Sequence, residues 1–372
     1  MKEVIINKDD LKYNIEKVKK LASKSVVDDN ENKLKIIAVV KANGYGLGIL
    51  ELTKFLIENG IDMFAVSSLE EALKLRQNGI ENDILMLSST SIKEDVKTLV
   101  ENDIILTIGS NEDLKVAEEV GNELKKNVRA HLKIDTGFGR YGFIYTDKEN
   151  MIKALKDINN IKIEGTYTHF SNSYFDDKYT KLQFDRFLDC IEVLKLNKIE
   201  TGMLHVCNTS AFIKFPSMHL NAVRLGSIFT GRISFANNLN LKKIGYLKAN
   251  VSEIKEVPKN FYIGYSNTYK TKRNTKIAIV PVGYMDGVNL VNGRDMLRKR
   301  DKLRYIVRDI KDAFKDKRIF VTINQERCPV LGMCGTYHIT VDITGKDVKI
   351  GDEVILDTNI KLVNSEIRRN WK

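Results

Sequence analysis

Short runs of β-branched and apolar residues alternate with longer amphipathic stretches through roughly the first 230 residues. The runs lie near 35–41 (KIIAVVK), 63–67 (MFAVS), 83–88 (DILMLS), 103–108 (DIILTI), 129–134 (RAHLKI), 162–168 (KIEGTYT), 203–207 (MLHVC) and 220–225 (LNAVRL). They are more nearly continuous than alternating, which predicts strands buried on both faces. The stretches between them predict helices. One carries Leu11, Ile15 and Val18 on one face, and Ser68 with Glu71, Ser110 with Asp113 and Thr146 with Glu149 have capping-box spacing. Eight strand–helix units in series predict an α/β fold, a closed eight-stranded parallel β/α barrel over residues 1–232.

After about residue 232 the rhythm changes. Strand-like runs fall at 276–282 (KIAIVPV), 318–323 (RIFVTI), 338–343 (HITVDI) and 353–356 (EVIL), with Gly345 and Gly351 punctuating the last of them. They predict a second, mostly β domain over 233–372, interrupted near 297–316 by a basic helix. The interrupting stretch, Arg294–Arg318, holds eleven Lys/Arg and five Asp, and within it Leu303, Ile306, Val307, Ile310 and Phe314 recur at helical spacing. That pattern reads as an amphipathic helix with a charged outer face, not a phosphate-binding arm.

Composition narrows the class. A length of 372 residues suits two domains, and 43% hydrophobic residues can supply a large core. The formal charge of +11 raises nucleic acid as a partner, but the basic residues are scattered among many acids, so a solvated basic surface and no nucleic acid is the expectation. No run approaches ~18 apolar residues, and the opening MKEVIINKDDLKYN has no apolar leader region. No membrane partner and a cytoplasmic location are therefore expected. Cys190, Cys207, Cys328 and Cys334 fit no zinc spacing; they read as reduced thiols, and no metal is expected.

In a parallel barrel the reactive side chains sit at the C-terminal ends of the strands. Lys41 ends the first run and opens Ala42-Asn43-Gly44-Tyr45-Gly46; Lys133 lies in the fifth, with Arg140 beyond it in Gly137-Phe138-Gly139-Arg140. His169 follows the sixth, Asn208 and Thr209 the seventh, and Arg224 ends the eighth, before Gly226 and Ser227. A lysine continuing an apolar strand either reaches solvent or has its amine buried. Burial lowers the amine's pKa and frees its lone pair, as a Schiff-base lysine requires. The amides of Gly226 and Ser227 with the Thr209 hydroxyl suit a phosphate, or form a plain tight turn. His169 reads equally as a structural histidine, and Asn208 and Thr209 as caps of a short helix.

KANGYG, LKIDTGFGRYG, THF, CNTSA, RLGS, GYSNTY and PVGYMDG stand in this order along the whole chain. In order and spacing they resemble the motifs of the alanine racemase family, barrel-type enzymes dependent on pyridoxal 5'-phosphate. The resemblance implies that Lys41 carries the cofactor as a Schiff base, that Tyr45, Asn208, Thr209, Gly226 and Ser227 surround its phosphate, that His169 packs near its ring and that Arg224 faces the pyridine nitrogen. It implies two acid–base groups on opposite faces of the substrate carbon, Lys41 and Tyr265. Arg140 would hold the substrate carboxylate or position Tyr265, with Tyr284 and Thr336 also on the substrate side. Lys133 matches a lysine that in many family members is carbamylated and braces that arginine, and a plain ion pair is the alternative. In this family the tyrosine comes from the partner chain, which implies a homodimer with shared sites. The implied function is interconversion of L- and D-alanine, supplying D-amino acid for peptidoglycan.

The chain departs from the family pattern in places. Leu47 stands where the motif usually has histidine, Thr336-Tyr337 where it has Met-Asp, and Ser365 aligns with a usual tyrosine. The Arg294–Arg318 stretch reads as an insertion. These features are similar to the racemase domains of serine racemases in vancomycin-resistance operons, so serine stands beside alanine as substrate, with alanine first. A barrel-type pyridoxal-phosphate decarboxylase would carry an acid at the pyridine nitrogen, against Arg224. A non-enzymatic cofactor-handling barrel would lack Tyr265 and the second domain.

Overall fold

The chain opens on a short strand, β1 (Glu3–Ile6), and then lays down the strands of the predicted barrel. These are β2 (Lys35–Val39), β3 (Met63–Val66), β4 (Asp83–Met86), β5 (Leu106–Ile108), β6 (Val128–Asp135), the two-residue β7 (Phe143–Ile144), β8 (Ile161–Tyr167), β9 (Met203–His205) and β10 (Ala222–Leu225). Eight of them form one sheet in the order β4-β3-β2-β10-β9-β8-β6-β5, with β7 added to β6. Every pairing is parallel. A parallel Leu85–Ile105 bridge joins the two ends and closes the sheet: Met86 N–H donates to Ile105 O and Ile105 N–H to Ile84 O, both at 2.9 Å. The computed structural model describes residues 2–25, 33–233, 239–291, 293, 297–314 and 318–372. It divides into two units, Asp9–Ile244 and Met1–Lys8 with Gly245–Lys372.

Alternate residues of the barrel strands point inward, as the period of two requires. Ile37, Val39, Met63, Ala65, Leu85, Ile105 and Ala222 meet in one buried cluster. The helix Lys8–Ala22 buries Leu11, Ile15 and Val18 as its spacing predicted. Ser68 Oγ accepts from Glu71 N–H at 3.3 Å and Ser110 Oγ from Asp113 N–H at 3.1 Å, so two predicted caps are made. The third is not: the helix Lys148–Lys156 starts one residue later than the Thr146 cap required, so Asp147 holds the N-cap position, and it makes no side-chain cap bond.

The second unit holds β11 (Tyr246–Asn250), β12 (Glu253–Val257), β13 (Tyr262–Ile263), β14 (Tyr269–Lys270), β15 (Thr275–Val280), β16 (Phe320–Ile323), β17 (Glu326–Leu331), β18 (Ile339–Asp342), β19 (Glu353–Leu356) and β20 (Arg369–Trp371). Its sheet has nine strands in the order β12-β15-β18-β17-β16-β19-β11-β1-β20, and β13 pairs with β14 apart from it. The fold is thus an eight-stranded β/α barrel plus a mostly β domain. The boundary differs from a simple cut at 232. Strand β1 pairs antiparallel with β11 and parallel with β20, so the first residues of the chain complete the second unit's sheet.

The basic stretch does form a helix, Lys299–Ala313, but its predicted orientation is reversed. Leu303, Ile306, Val307, Ile310 and Phe314 are all between 51% and 87% exposed, and Asp301 is the helix's only buried residue. The apolar stripe, not the charged face, is outermost. Residues 315–316 of the predicted helix lie outside the described residues.

Candidate active site

Lys41 follows β2 and opens a turn of unusual hand. Ala42, Asn43 and Gly44 take left-handed dihedrals in succession (φ 55°, 52° and 63°), and Tyr45 has φ 54°. For a residue with a Cβ this costs about 1–2 kcal/mol each, so neighbouring contacts must hold it. They do so through hydrogen bonds. Asn43 Oδ1 accepts from Ile49 N–H at 3.0 Å, and the Glu71 carboxylate accepts from Asn43 N–H at 3.2 Å and Ser67 N–H at 3.3 Å. The turn aims Tyr45 at the end of β10: a Cβ on Gly226 would stand 2.4 Å from the Tyr45 hydroxyl, so only glycine fits there. Leu47, in the motif's usual histidine position, is buried and apolar.

A second turn is held by one carboxylate. Asp135, the last residue of β6, accepts four backbone N–H bonds at 2.8–3.0 Å, from Gly137, Phe138, Gly139 and Arg140. This nest fixes the loop that carries Arg140, whose guanidinium lies 4.3 Å from the Phe138 ring centre. Gly142 (φ 125°) is needed too, since a Cβ there would meet Asp135 N at 2.7 Å.

The cations gathered here act on one another. Burial, then Arg140, lowers the Lys41 amine below the usual lysine range, against a smaller opposing pull from Glu71. Burial, then Arg140 and Arg224, brings Lys133 down to about 7. Lys133 makes no ion pair among the described residues; its ammonium faces the rings of Tyr141 at 5.2 Å and Tyr167 at 5.4 Å. The plain ion pair expected as the alternative for Lys133 is not made among the described residues. The two carboxylates that are near, Asp135 and Glu71, are occupied by backbone N–H groups.

Arg224 is buried and has no carboxylate partner among the described residues. Its Nη1 donates to His205 Nδ1 at 2.6 Å and His205 O at 2.7 Å; its Nη2 donates to Thr168 O at 2.6 Å, Val206 O at 3.2 Å and His169 Nδ1 at 3.3 Å. The Nε–H is the donor with no hydrogen bond among the described residues. Burial lowers the guanidinium to about 10, so it stays charged at neutral pH.

Because an arginine only donates, His205 Nδ1 must accept and carries no proton. His205 Nε2 then holds the proton and donates to His131 Nδ1 at 2.8 Å. Both rings are neutral. Burial followed by Arg224 holds His205 well below the usual histidine range, and burial lowers His131 to about 4. Tyr167 stacks on His205 at 4.8 Å and shares a 2.7 Å hydrogen bond with Thr107. A Cβ on Gly165 would come within 2.8 Å of the His131 ring, so β8 needs glycine to admit it.

His169 is half-buried beside Arg224, and burial followed by Arg224 drives its pKa well down, so it too is neutral. Burial pushes the Tyr45 phenol up to about 12, leaving it a protonated donor. Asn208 caps the helix Thr209–Lys214, its Oδ1 accepting from Ala211 N–H at 3.1 Å and from Ser173 Oγ at 2.9 Å. Thr209 opens that helix, and Gly226 and Ser227 follow β10. The barrel therefore brings Lys41, Tyr45, Lys133, Arg140, His169, Asn208, Thr209, Arg224, Gly226 and Ser227 to the C-terminal ends of its strands.

Tyr265, Tyr284 and Thr336 belong to the second unit, on three turns. Tyr265 is 68% exposed, in a turn with Gly264 at φ 84° and Ser266 at φ 55°. Thr336 Oγ1 donates to the Tyr284 hydroxyl at 2.9 Å. The Tyr284 turn is braced by Asp286, whose carboxylate accepts from Gly283 N–H at 3.0 Å and Lys2 Nζ at 2.6 Å. Asp135, Glu71, His131, Tyr167, His205 and Asp286 were missed from sequence. Asp135, between a strand end and a glycine-rich turn, carried a local signal, and Glu71 carried one only as a helix-capping residue.

Residues 6–233 match the model of the alanine racemase N-terminal domain and residues 244–367 that of the C-terminal domain. The chain is 34% identical to an alanine racemase of Methanococcus maripaludis, over 92% of this chain and 85% of that protein. It is also 34% identical to an alanine racemase of Clostridium tetani, over 97% of this chain and 88% of that protein. Among solved structures, alanine racemase of Clostridium difficile 630 superposes with a TM-score of 0.86 at 28% identity, covering 100% of this chain and 95% of that one.

Proposed function

Since the chain belongs to the alanine racemase family, whose members are pyridoxal-phosphate-dependent racemases, we propose that it interconverts L- and D-alanine by a two-base mechanism using Lys41 and Tyr265. The observation that carries the reading is the cationic, anion-poor end of the barrel, with a depressed lysine amine and an arginine Nε–H left over. It suits a ligand that brings a phosphate and an accepting ring nitrogen.

When bound, pyridoxal phosphate supplies a conjugated ring that delocalises the electron pair left on the substrate carbon after its proton departs. Lys41 would hold the cofactor. Arg224 Nε–H would donate to the ring nitrogen, and a charged guanidinium keeps that nitrogen unprotonated. This tempers the electron sink and favours rapid return of the proton over side reactions. The neutral pair His205 and His131 positions Arg224 without adding charge. The protonated Tyr45 phenol would donate to the phosphate, with Asn208, Thr209 and the amides of Gly226 and Ser227 around it, while neutral His169 packs beside the ring.

Lys41 would remove or return the proton on one face of the substrate carbon and Tyr265 on the other, Tyr265 coming from the partner chain of a homodimer. Arg140 would hold the substrate carboxylate. A neutral Lys133 amine can take up carbon dioxide, and the resulting carbamate would give Arg140 the anion its surroundings lack. D-alanine made in the cytoplasm would feed peptidoglycan synthesis.

Serine is the second reading, as in a glycopeptide-resistance pathway. Thr336 and Ser365 shorten two side chains, but the Thr336 proton is already donated to Tyr284, which leaves less for a substrate hydroxyl. Alanine therefore comes first. The decarboxylase alternative conflicts with Arg224, which stands where an acid would be needed. The test is purified protein with L-alanine and L-serine, scoring D-enantiomer and gas release as kcat/KM. D-alanine in excess of D-serine is expected; gas release without racemisation would overturn the reading.

A further inference from the structure

The helix Lys299–Ala313 is turned inside out for a water-soluble surface. Leu303, Ile306, Val307, Ile310 and Phe314 lie three and four residues apart, forming one stripe about 100° wide, and all are more than half exposed. The helix's only buried residue, Asp301, lies on the opposite face. Charge is sorted around the stripe. Arg300, Arg304 and Lys311, at spacings of four and seven, run along one edge, and Lys302 lies on the other. Asp301 and Asp312 sit on the back with Arg308, and Asp309 lies next to Lys302. Residues 297–314 hold seven Lys/Arg against three Asp, so the segment is cationic in a chain already at +11.

We infer that this helix is an interfacial anchor that lays its apolar stripe into the headgroup region of an anionic lipid bilayer. An apolar stripe flanked by cations, with two of the helix's three acids on the far face, is the chemistry such a surface selects. It does not span: among the described residues no helix is long and apolar enough to cross a membrane. A second copy fits less well. Fifteen helical residues extend about 22 Å, so the stripe covers on the order of 300 Å², well short of the ~800 Å² per partner of a stable interface. Pairing two such helices would also oppose like charges. Nucleic acid would use the cations and leave the stripe in water. The expectation of no membrane partner rested on the lack of a long apolar run and of an apolar leader, and neither bears on a helix that lies in the bilayer surface.

The test uses the full-length holoenzyme sedimented with vesicles of phosphatidylglycerol or of phosphatidylcholine. Binding to phosphatidylglycerol at least tenfold above phosphatidylcholine is expected, falling severalfold as salt is raised from 0.05 to about 0.5 M. Ile306→Glu with Ile310→Glu should abolish it, and Arg304→Glu with Lys311→Glu should weaken it, with racemase activity and melting temperature unchanged in both. Three results would overturn the inference: no binding by the wild type, salt-sensitive binding that survives Ile306→Glu/Ile310→Glu, or a change of oligomeric mass in that variant without vesicle binding by the wild type.

Discussion

The sharpest quantitative consequence concerns Lys133. Its ammonium is buried among Arg140, Arg224 and Lys41, and its pKa of about 7 lies far below the ordinary 10.5. Keeping the proton on therefore costs roughly 5 kcal/mol relative to water. At pH 8 about nine-tenths of the amine is neutral, against less than one part in a hundred for an ordinary lysine. The neutral nitrogen can attack carbon dioxide, forming an N–C bond and releasing a proton, and the product is an anion where the local field is positive. A charge-assisted hydrogen bond from Arg140 to it is worth about 1.5–3 kcal/mol. Lys133→Ala should therefore lower kcat/KM about ten- to hundredfold, with part of the loss in KM because Arg140 is no longer braced. Protein equilibrated with 13C-bicarbonate should show a carbamate carbon signal that Lys133→Ala lacks. The sign of the pH effect follows from the depressed pKa. In carbon-dioxide-free buffer the folded state holds fewer protons than the unfolded state between about pH 7 and 10.5, so stability rises with pH across that window. Full activity in carbon-dioxide-free buffer, with no carbamate signal in the wild type, would refute the argument.

Two further predictions bear on the catalytic groups. Inactive Lys41→Ala and inactive Tyr265→Phe chains, mixed after subunit exchange, should regain activity, because one site of a mixed dimer carries neither defect; none regained after verified exchange would mean that each chain supplies both bases to its own site. Nitrogen-15 NMR should find His205 and His131 neutral and protonated on Nε2 down to about pH 5, and His131→Ala should raise the pKa or broaden the tautomer signature of His205 while leaving the fold intact; an imidazolium at pH 7 would break the relay from Arg224.

The barrel was legible because its signal is redundant. Eight buried strands each give an apolar run, and an error in one does not disturb the count. The second unit was harder for identifiable reasons. Strand β1 is four residues, EVII, whose partners β11 and β20 lie more than 200 positions away, and no local pattern announces such a pairing. Strand β17 contains Pro329, which argues against a strand when read alone. The basic helix was found by its period, but period says only that one face is apolar. Which way that face points is decided by the rest of the fold.

The same division holds in the site. Lys41, Arg140 and Arg224 stand at strand ends and could be listed from sequence, yet their chemistry depends on neighbours that have no motif. Asp135 and Glu71 look like counter-charges for these cations until their hydrogen bonds are followed: six backbone N–H groups take up the two carboxylates. They fix the loops that carry Arg140 and Lys41 and do little to neutralise the side chains. His205 and His131 look like candidate acids or bases until Arg224 is placed. Its donors dictate which nitrogen of each ring is bare, and burial holds both rings neutral. A barrel end with the Arg140 and Arg224 guanidiniums, two carboxylates spent on backbone N–H groups and neutral histidines behind them retains positive potential without a ligand. Part of the free energy of holding a phosphate and a substrate carboxylate is thus stored in the folded protein, and charge-reversing Arg140 should weaken both.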